Sequence, residues 1–307
     1  MLRTPAPTRP KSVEDLLSSE LIARIEPLDL SSRKVFFGKL KGERRSKKRG
    51  QSVEFADHRQ YVTGDDIRHI DWNIFARLDQ LFLKLFLEEE DLSLSIVIDA
   101  SASSDCGEPS KFLFMQKAAM AMGYIGLVNL NRVTITAMGD AEGGVVGALR
   151  DLRGRRRTHD LARFICSLEP GGGFSFRDAA ERIALTRRGK GVMLIFSDFF
   201  FKEGYEDGLR RLVGHGYDVF CIQVLSPQEL DPPITGDLRL KDVEDADLAE
   251  VTISAPLLKR YKANLAAYCQ QLNAFCLRRD MTLITVRSDT PVDVLILDYL
   301  RKRGVVK

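Results

Sequence analysis

The 307-residue sequence lacks any Cys-x-x-Cys pair, and its five cysteines (Cys106, Cys166, Cys221, Cys269, Cys276) are an odd number without metal-ligand spacing. A disulfide framework and a zinc knuckle are thereby excluded, and buried thiols in a reducing cytoplasm are expected. No apolar run approaches the ~20 residues that cross a bilayer; the longest, residues 118–128, is interrupted by Gly123 and Gly126. Residues 1–10 carry prolines and arginines around no apolar core, so no signal peptide is expected there. HExxH, GxSxG, P-loop and GxGxxG patterns are all missing, which removes the usual signatures of zinc peptidases, serine hydrolases, ATPases and dinucleotide-binding enzymes. With a net charge of only +3, the field of the whole molecule does not select nucleic acid as a partner.

What is present is a globular composition, 44% hydrophobic and 29% charged, long enough for one large domain with appendages or for two. Residues 1–12 read as a disordered tail. Ser12-Val13-Glu14-Asp15 is a capping pattern that opens an amphipathic helix ending at Pro27, and a second short helix is expected over residues 30–37. Residues 41–49 are a basic run with the composition of an exposed loop. Residues 53–77 are poorly periodic, so turn chemistry and side-chain pairing must order them. Asp65 or Asp66 is expected to cap a helical turn running to residue 75, Arg68 to pair with Asp71, and Trp72, the only tryptophan, to anchor the block to a core. Residues 81–87 read as a strand.

From residue 92 onward strands and helices alternate. Strands are expected at 92–98, 132–138, 144–149, 192–196, 218–224 and 282–286. Helices are expected at 110–128, 159–168, 175–187, 205–213, 255–278 and 292–303. Strands this apolar are covered on both faces. The fold class is therefore α/β: a Rossmann-like, doubly wound, mostly parallel sheet over residues 91–307, carrying an N-terminal extension (13–90) and a small β-hairpin inserted at about 226–253.

The candidate site is Asp99-Ala100-Ser101-Ala102-Ser103. In a doubly wound sheet, ligands bind at the carboxyl ends of strands near the point where strand order reverses. Asp99 lies at such an end, and Asp198 lies at another. Ser101 and Ser103 alternate after Asp99. The glycine-rich run Gly171-Gly172-Gly173-Phe174-Ser175 can bring a further hydroxyl from Ser175. Carboxylates and hydroxyls without His or Cys suit Mg²⁺ or Mn²⁺. Such a cup leaves room for one carboxylate from outside, so it reads as a docking point for an acidic segment of a partner.

Asp99-x-Ser101-x-Ser103 with Asp198 resembles the metal-ion-dependent adhesion site of von Willebrand factor type A domains. Type A domains normally place a threonine where Ser175 stands here; Thr158 is a poorer fit because it opens the preceding helix. The upstream block is more specific. Glu54-Phe55, Arg59-x-Tyr61, Gly64-Asp65-Asp66-Ile67-Arg68-x-Ile70-Asp71-Trp72 and Ala76-Arg77 resemble the hallmark of the "domain of unknown function 58" family, from about residue 36 to the end. That resemblance implies a type A-like domain, a possible divalent cation, and partnership with MoxR-type AAA+ ATPases, or their clients, in chaperone-like maturation. Some members of that family carry membrane helices ahead of this region, and none is read here. Two other readings compete. A nucleic-acid-binding protein would use the basic runs 41–49 and 150–157, and a metal-dependent hydrolase would use Asp65, Asp66 or Asp71 with a histidine.

Overall fold

A computed structural model describes residues 9–32, 54–87, 92–186, 191–213, 217–234, 236–241, 244 and 248–307. The chain forms two compact units, residues 1–34 with 92–307 and residues 35–91. The expected N-terminal region is thus divided. Its first helices belong with the large sheet, and the Arg/Asp/Trp block forms a unit of its own. The expected tail (residues 1–8 of it), the basic run 41–49 and the acidic residues 88–91 lie outside the described residues.

In the larger unit, Ser12 caps α1 (Val13–Leu16) in a reciprocal capping box with Asp15, as its sequence predicts. The expected single helix is broken, however. Leu17 is extended, and Ser18 caps a second helix, α2 (Ser19–Ile25), because a serine there offers its hydroxyl to the Leu21 amide. Leu30 does not open the helix expected over residues 30–37, of which 33–37 lie outside the described residues. Leu30 bridges Val306 in antiparallel fashion, and backbone bonds Ser31 N to Val305 O (2.8 Å) and Lys307 N to Asp29 O (2.9 Å) extend the pairing.

The smaller unit is a hairpin and a helix. β1 (Glu54–Gln60) pairs antiparallel with β2 (Phe82–Leu87), and α3 (Trp72–Leu78) lies between them in sequence. β1 was not expected, because its sequence, with Asp57, His58 and Arg59 in a row, has none of the alternation that marks a strand.

The sheet of the larger unit then follows. In chain order its elements are β3 (Ser93–Asp99), α4 (Lys111–Val128), β4 (Arg132–Met138), β5 (Val145–Leu152), α5 (Thr158–Cys166), α6 (Phe176–Thr186), β6 (Gly191–Ser197), α7 (Glu206–Val213), β7 (Tyr217–Leu225), α8 (Pro227–Leu230), the antiparallel hairpin β8 (Gly236–Lys241) and β9 (Leu248–Ile253), α9 (Ala255–Leu277), β10 (Thr282–Arg287) and α10 (Val292–Val294), which runs on through wider turns over Leu295–Leu300. The strand order is β10-β7-β6-β3-β4-β5, parallel throughout except for β5 at one edge. Counted from β3, this is the doubly wound order 3-2-1-4-5-6 with its third strand reversed.

Two cores explain why β3, β6 and β7 are buried along their whole length. Ile96, Ile98, Leu194 and Ile222 face α4, α5 and the first helices. Val97, Ile195, Val219 and Cys221 face α6, α7 and α9. α4 is enclosed nearly all round, so its sequence is apolar on every side rather than on one stripe. Gly126 fits there because a Cβ would stand 2.7 Å from Val133 Cγ2.

Candidate functional site

β3 and β6 are neighbours, so Asp99 at the end of one and Asp198 just past the end of the other meet at the carboxyl edge of the sheet. Strand order departs in opposite directions from this pair, toward β4 on one side and β7 on the other. Past Asp99 the chain is held by its backbone. Ala100 N donates to Met138 O (2.8 Å), Gly171 N to Ala100 O (3.0 Å), and Ala102 N to Gly172 O (2.9 Å). The glycine-rich run therefore packs directly on the Asp99 loop. Gly172 is required there: its φ is +54°, and a Cβ would lie 2.2 Å from the Asp140 carboxylate.

A short helical turn over Ala102–Asp105 then folds the serines back. Asp99 Oδ1 accepts from the Ser101 amide (2.9 Å) and from Ser101 Oγ (2.7 Å), and Ser101 Oγ lies 3.0 Å from Ser103 Oγ. Asp99 Oδ2 accepts from Ser197 Oγ at 2.6 Å. Burial first, and the Asp198 charge second, push the Asp99 carboxyl up to about 6, against the pull of the Ser197 and Ser101 hydrogen bonds. Asp99 and Ser101 are buried, while Ser103 is half-buried and forms the open side.

Asp198 is engaged differently. Its Oδ1 accepts from the Phe200 amide (3.0 Å), and its Oδ2 accepts from Lys111 Nζ at 2.6 Å. Lys111 is the first residue of α4 and is entirely buried; its ammonium also donates to Glu229 Oε1 at 2.6 Å. Burial alone would lower the lysine pKa, but the two carboxylates more than offset it and hold the group charged well above the ordinary lysine value. Gln223 Nε2 donates to the Asp198 carbonyl, and Phe199 adopts a left-handed backbone (φ +62°) in a fully buried position. A bulky residue held there stores strain, which concentrates at functional turns.

Asp99, Ser101, Ser103 and Asp198 are thus brought together. Ser175 is engaged elsewhere: its hydroxyl donates to Glu203 Oε2 (3.1 Å) and accepts from the Asp178 amide (3.3 Å), which places it as the N-terminal cap of α6. Thr158 Oγ1 donates to Arg155 O. The donors around Asp99 are all oxygen, and among the described residues no three His, Cys, Asp or Glu side chains cluster. That chemistry fits a hard cation and not zinc.

The Arg/Asp/Trp block builds the smaller unit. Arg59 pairs with Asp65 (2.7 Å), whose other oxygen accepts from the Val62 amide, beside Gly64 at φ +108°. Tyr61 N donates to Leu81 O. Asp66, not Asp65, caps the turn Ile67–His69. The expected Arg68–Asp71 pair does not form. Arg68 lies over Asp66 at 2.5 Å, the nearer carboxylate in sequence, and Asp71 takes His58 (3.1 Å) and Lys84 (3.3 Å) while capping α3. Trp72 is not a core anchor. As the first residue of α3 it is 61% exposed, edge-on to Phe75, and Arg77 is exposed on the same helix.

Sequence reasoning passed over Lys111, Ser197 and Glu229. One signal was available: a lysine at the first position of an apolar helix opposes the helix dipole, so its charge must be held by something else.

Residues 57–271 match the profile of a family described as "Protein of unknown function DUF58". Full-length similarity extends to the uncharacterized protein Rv1480 of Mycobacterium tuberculosis, 26% identical over 313 residues, covering 99% of this chain and 98% of that protein. The uncharacterized protein Mb1516 of Mycobacterium bovis matches equally. Among solved structures, BatB from Bacteroides thetaiotaomicron superposes with a TM-score of 0.40 at 12% identity, over 69% of this chain and 98% of that one. The SpRpn10 VWA domain gives 0.38 at 14% identity, over 68% and 95%.

Proposed function

This chain belongs to the DUF58 family, and on that premise we propose that it is a non-catalytic interaction protein of the cytoplasm whose Asp99 cup docks an acidic segment of a partner through a divalent cation. One observation carries the reading: Asp99, Ser101 and Ser103 converge, with Asp198 just past the end of the adjacent strand, at the crevice where doubly wound sheets bind ligands. Asp99, Ser101 and Ser103 would hold Mg²⁺ or Mn²⁺, with Asp198 as the opposing carboxylate and Ser175 outside the set. The cation would supply positive charge to an incoming carboxylate.

The chain's own residues do the rest. Ser101 orients Asp99 and is itself bonded to Ser103, Ser197 fixes the second Asp99 oxygen, and Gly171 and Gly172 hold the loop to the sheet edge. A MoxR-type AAA+ ATPase, or its client protein, is the proposed partner, with a role in maturation of other proteins. Asp99→Ala is expected to abolish Mg²⁺-dependent pull-down of the purified ATPase while thermal unfolding shows the fold intact. Pull-down that survives both Asp99→Ala and EDTA would place the docking point elsewhere.

The nucleic-acid reading draws less support. In the second basic run Arg155 pairs with Glu26 (2.6 Å) and lies over the Tyr124 ring, and Arg157 pairs with Asp160 (2.9 Å). Both pairs are solvent-exposed, so they reduce the positive charge this run presents without removing it.

A further inference from the structure

A fully buried lysine bonded to two carboxylates is costly to keep. Well-packed apolar residues usually serve stability as well or better, and a first-turn position adds repulsion from the helix dipole. Lys111 therefore needs a reason beyond packing, and its place supplies one. Nζ is 2.6 Å from Asp198 Oδ2 and 2.6 Å from Glu229 Oε1, while Asp198 directly follows Ser197, whose hydroxyl holds Asp99 Oδ2, and lies close enough for its charge to raise the Asp99 carboxyl.

We propose that Lys111 sets how tightly the Asp99 cup holds a divalent cation, because its ammonium occupies the Asp198 oxygen that the cation would recruit and Glu229 shares that ammonium. The inference rests on the proposed reading of the cup. Lys111 has no exposed surface, so it touches no partner and acts only through Asp198; it is a positioning residue.

Glu229 is the other half of the device. Its Oε2 accepts from the Ser226 amide (2.7 Å), closing a capping box on α8, and its backbone carbonyl accepts from Tyr261 on α9 (2.9 Å). Glu229 is thus held in place while its side chain keeps a solvent-facing edge, 23% exposed. With both carboxylates charged, the ammonium is divided between them. Removing the charge at Glu229 gives it wholly to Asp198, and removing Lys111 frees Asp198 for the cation.

The two substitutions must therefore act in opposite directions, which a merely structural role would not produce. Mn²⁺ and Mg²⁺ binding to the full chain is measured by calorimetry and, for Mn²⁺, by electron paramagnetic resonance. Lys111→Met is expected to raise affinity about tenfold or more, the effect of one unit charge at contact distance. Glu229→Gln is expected to lower it, and Lys117→Met, further along the same helix, to leave it unchanged.

Equal affinity in wild type, Lys111→Met and Glu229→Gln overturns the role of Lys111 and leaves the cup intact. Binding by Lys111→Met alone removes the cation from the wild-type function yet supports the role of Lys111. Binding by none of them overturns both. Should Lys111→Met fail to fold, Glu229→Gln decides alone: a fall supports the inference, and unchanged or absent binding overturns it.

Discussion

Asp71 shows how much one side chain can organise. It caps α3 through the Asn73 and Ile74 amides and pairs with His58 and Lys84. Burial raises its pKa, but those hydrogen bonds and charges more than offset the effect and bring the carboxyl down to about 2. A carboxyl depressed in the folded state stabilises fully above its unfolded pKa of about 3.9, and the contribution is lost as pH falls toward the folded value. The smaller unit is therefore expected to weaken between about pH 4 and pH 2, and Asp71→Asn to reduce that dependence, with the remainder left to Asp65 and Asp66, whose carboxyls are held down by their own hydrogen bonds. Fluorescence of Trp72, the adjacent residue and the only tryptophan, followed through thermal unfolding across that range, is the measurement; parallel profiles for wild type and variant would refute it. At this scale the sequence was half legible. Ser12 announced itself as a cap, and Asp66 as one of two candidates with Asp65, because capping is local. The partners of Arg68 and Asp71 did not, because His58 and Lys84 reach Asp71 only through the β1–β2 pairing. Trp72 was misread because size and scarcity say nothing about which way a helix's first residue faces.

Among the elements, α4 carries the most. It is buried on almost every side, against β3, β4, α5 and the first helices. Ile125 is fully buried in its last turn, so Ile125→Ala is expected to cost about 2–5 kcal/mol, read as a lower urea midpoint with an unchanged slope. A cost under about 1 kcal/mol would mean that the layer collapses around the lost atoms. The strands and helices from residue 92 onward were legible because continuous apolar runs and amphipathic stripes alternate there. β1 was not, since its charged residues follow no period of two. The break at Ser18 was equally hidden, because Leu16 and Leu17 continue the apolar pattern straight through it.

At the scale of the molecule, the strand order puts Asp99 and Asp198 side by side, which sequence could only make conditional on β3 and β6 being neighbours. The fourth corner of the cup failed the same way: Ser175 sits in the right loop, yet the cap it forms on α6 turns its hydroxyl to the Asp178 amide and Glu203. The whole-molecule charge also bears a prediction. With +3 overall and the arginines at 155 and 157 paired internally, retention on duplex DNA or single-stranded RNA is expected to be weak at about 150 mM salt. Gel-shift titration at two salt concentrations, with and without EDTA, checks it; tight, salt-sensitive and chelator-indifferent binding would favour the rival reading.

The small ladder between residues 29–31 and 305–307 joins stretches separated by nearly the whole sequence. Contacts of such separation are slow to close, and during synthesis they wait until residues 305–307 have left the ribosome. Residues 35–91 leave it long before, so the smaller unit can reach its native hairpin while the sheet that flanks it in sequence is still unpaired. The ladder is then a late step, and a pulse of hydrogen exchange on the emerging chain would find the Ser31 amide among the last to gain protection.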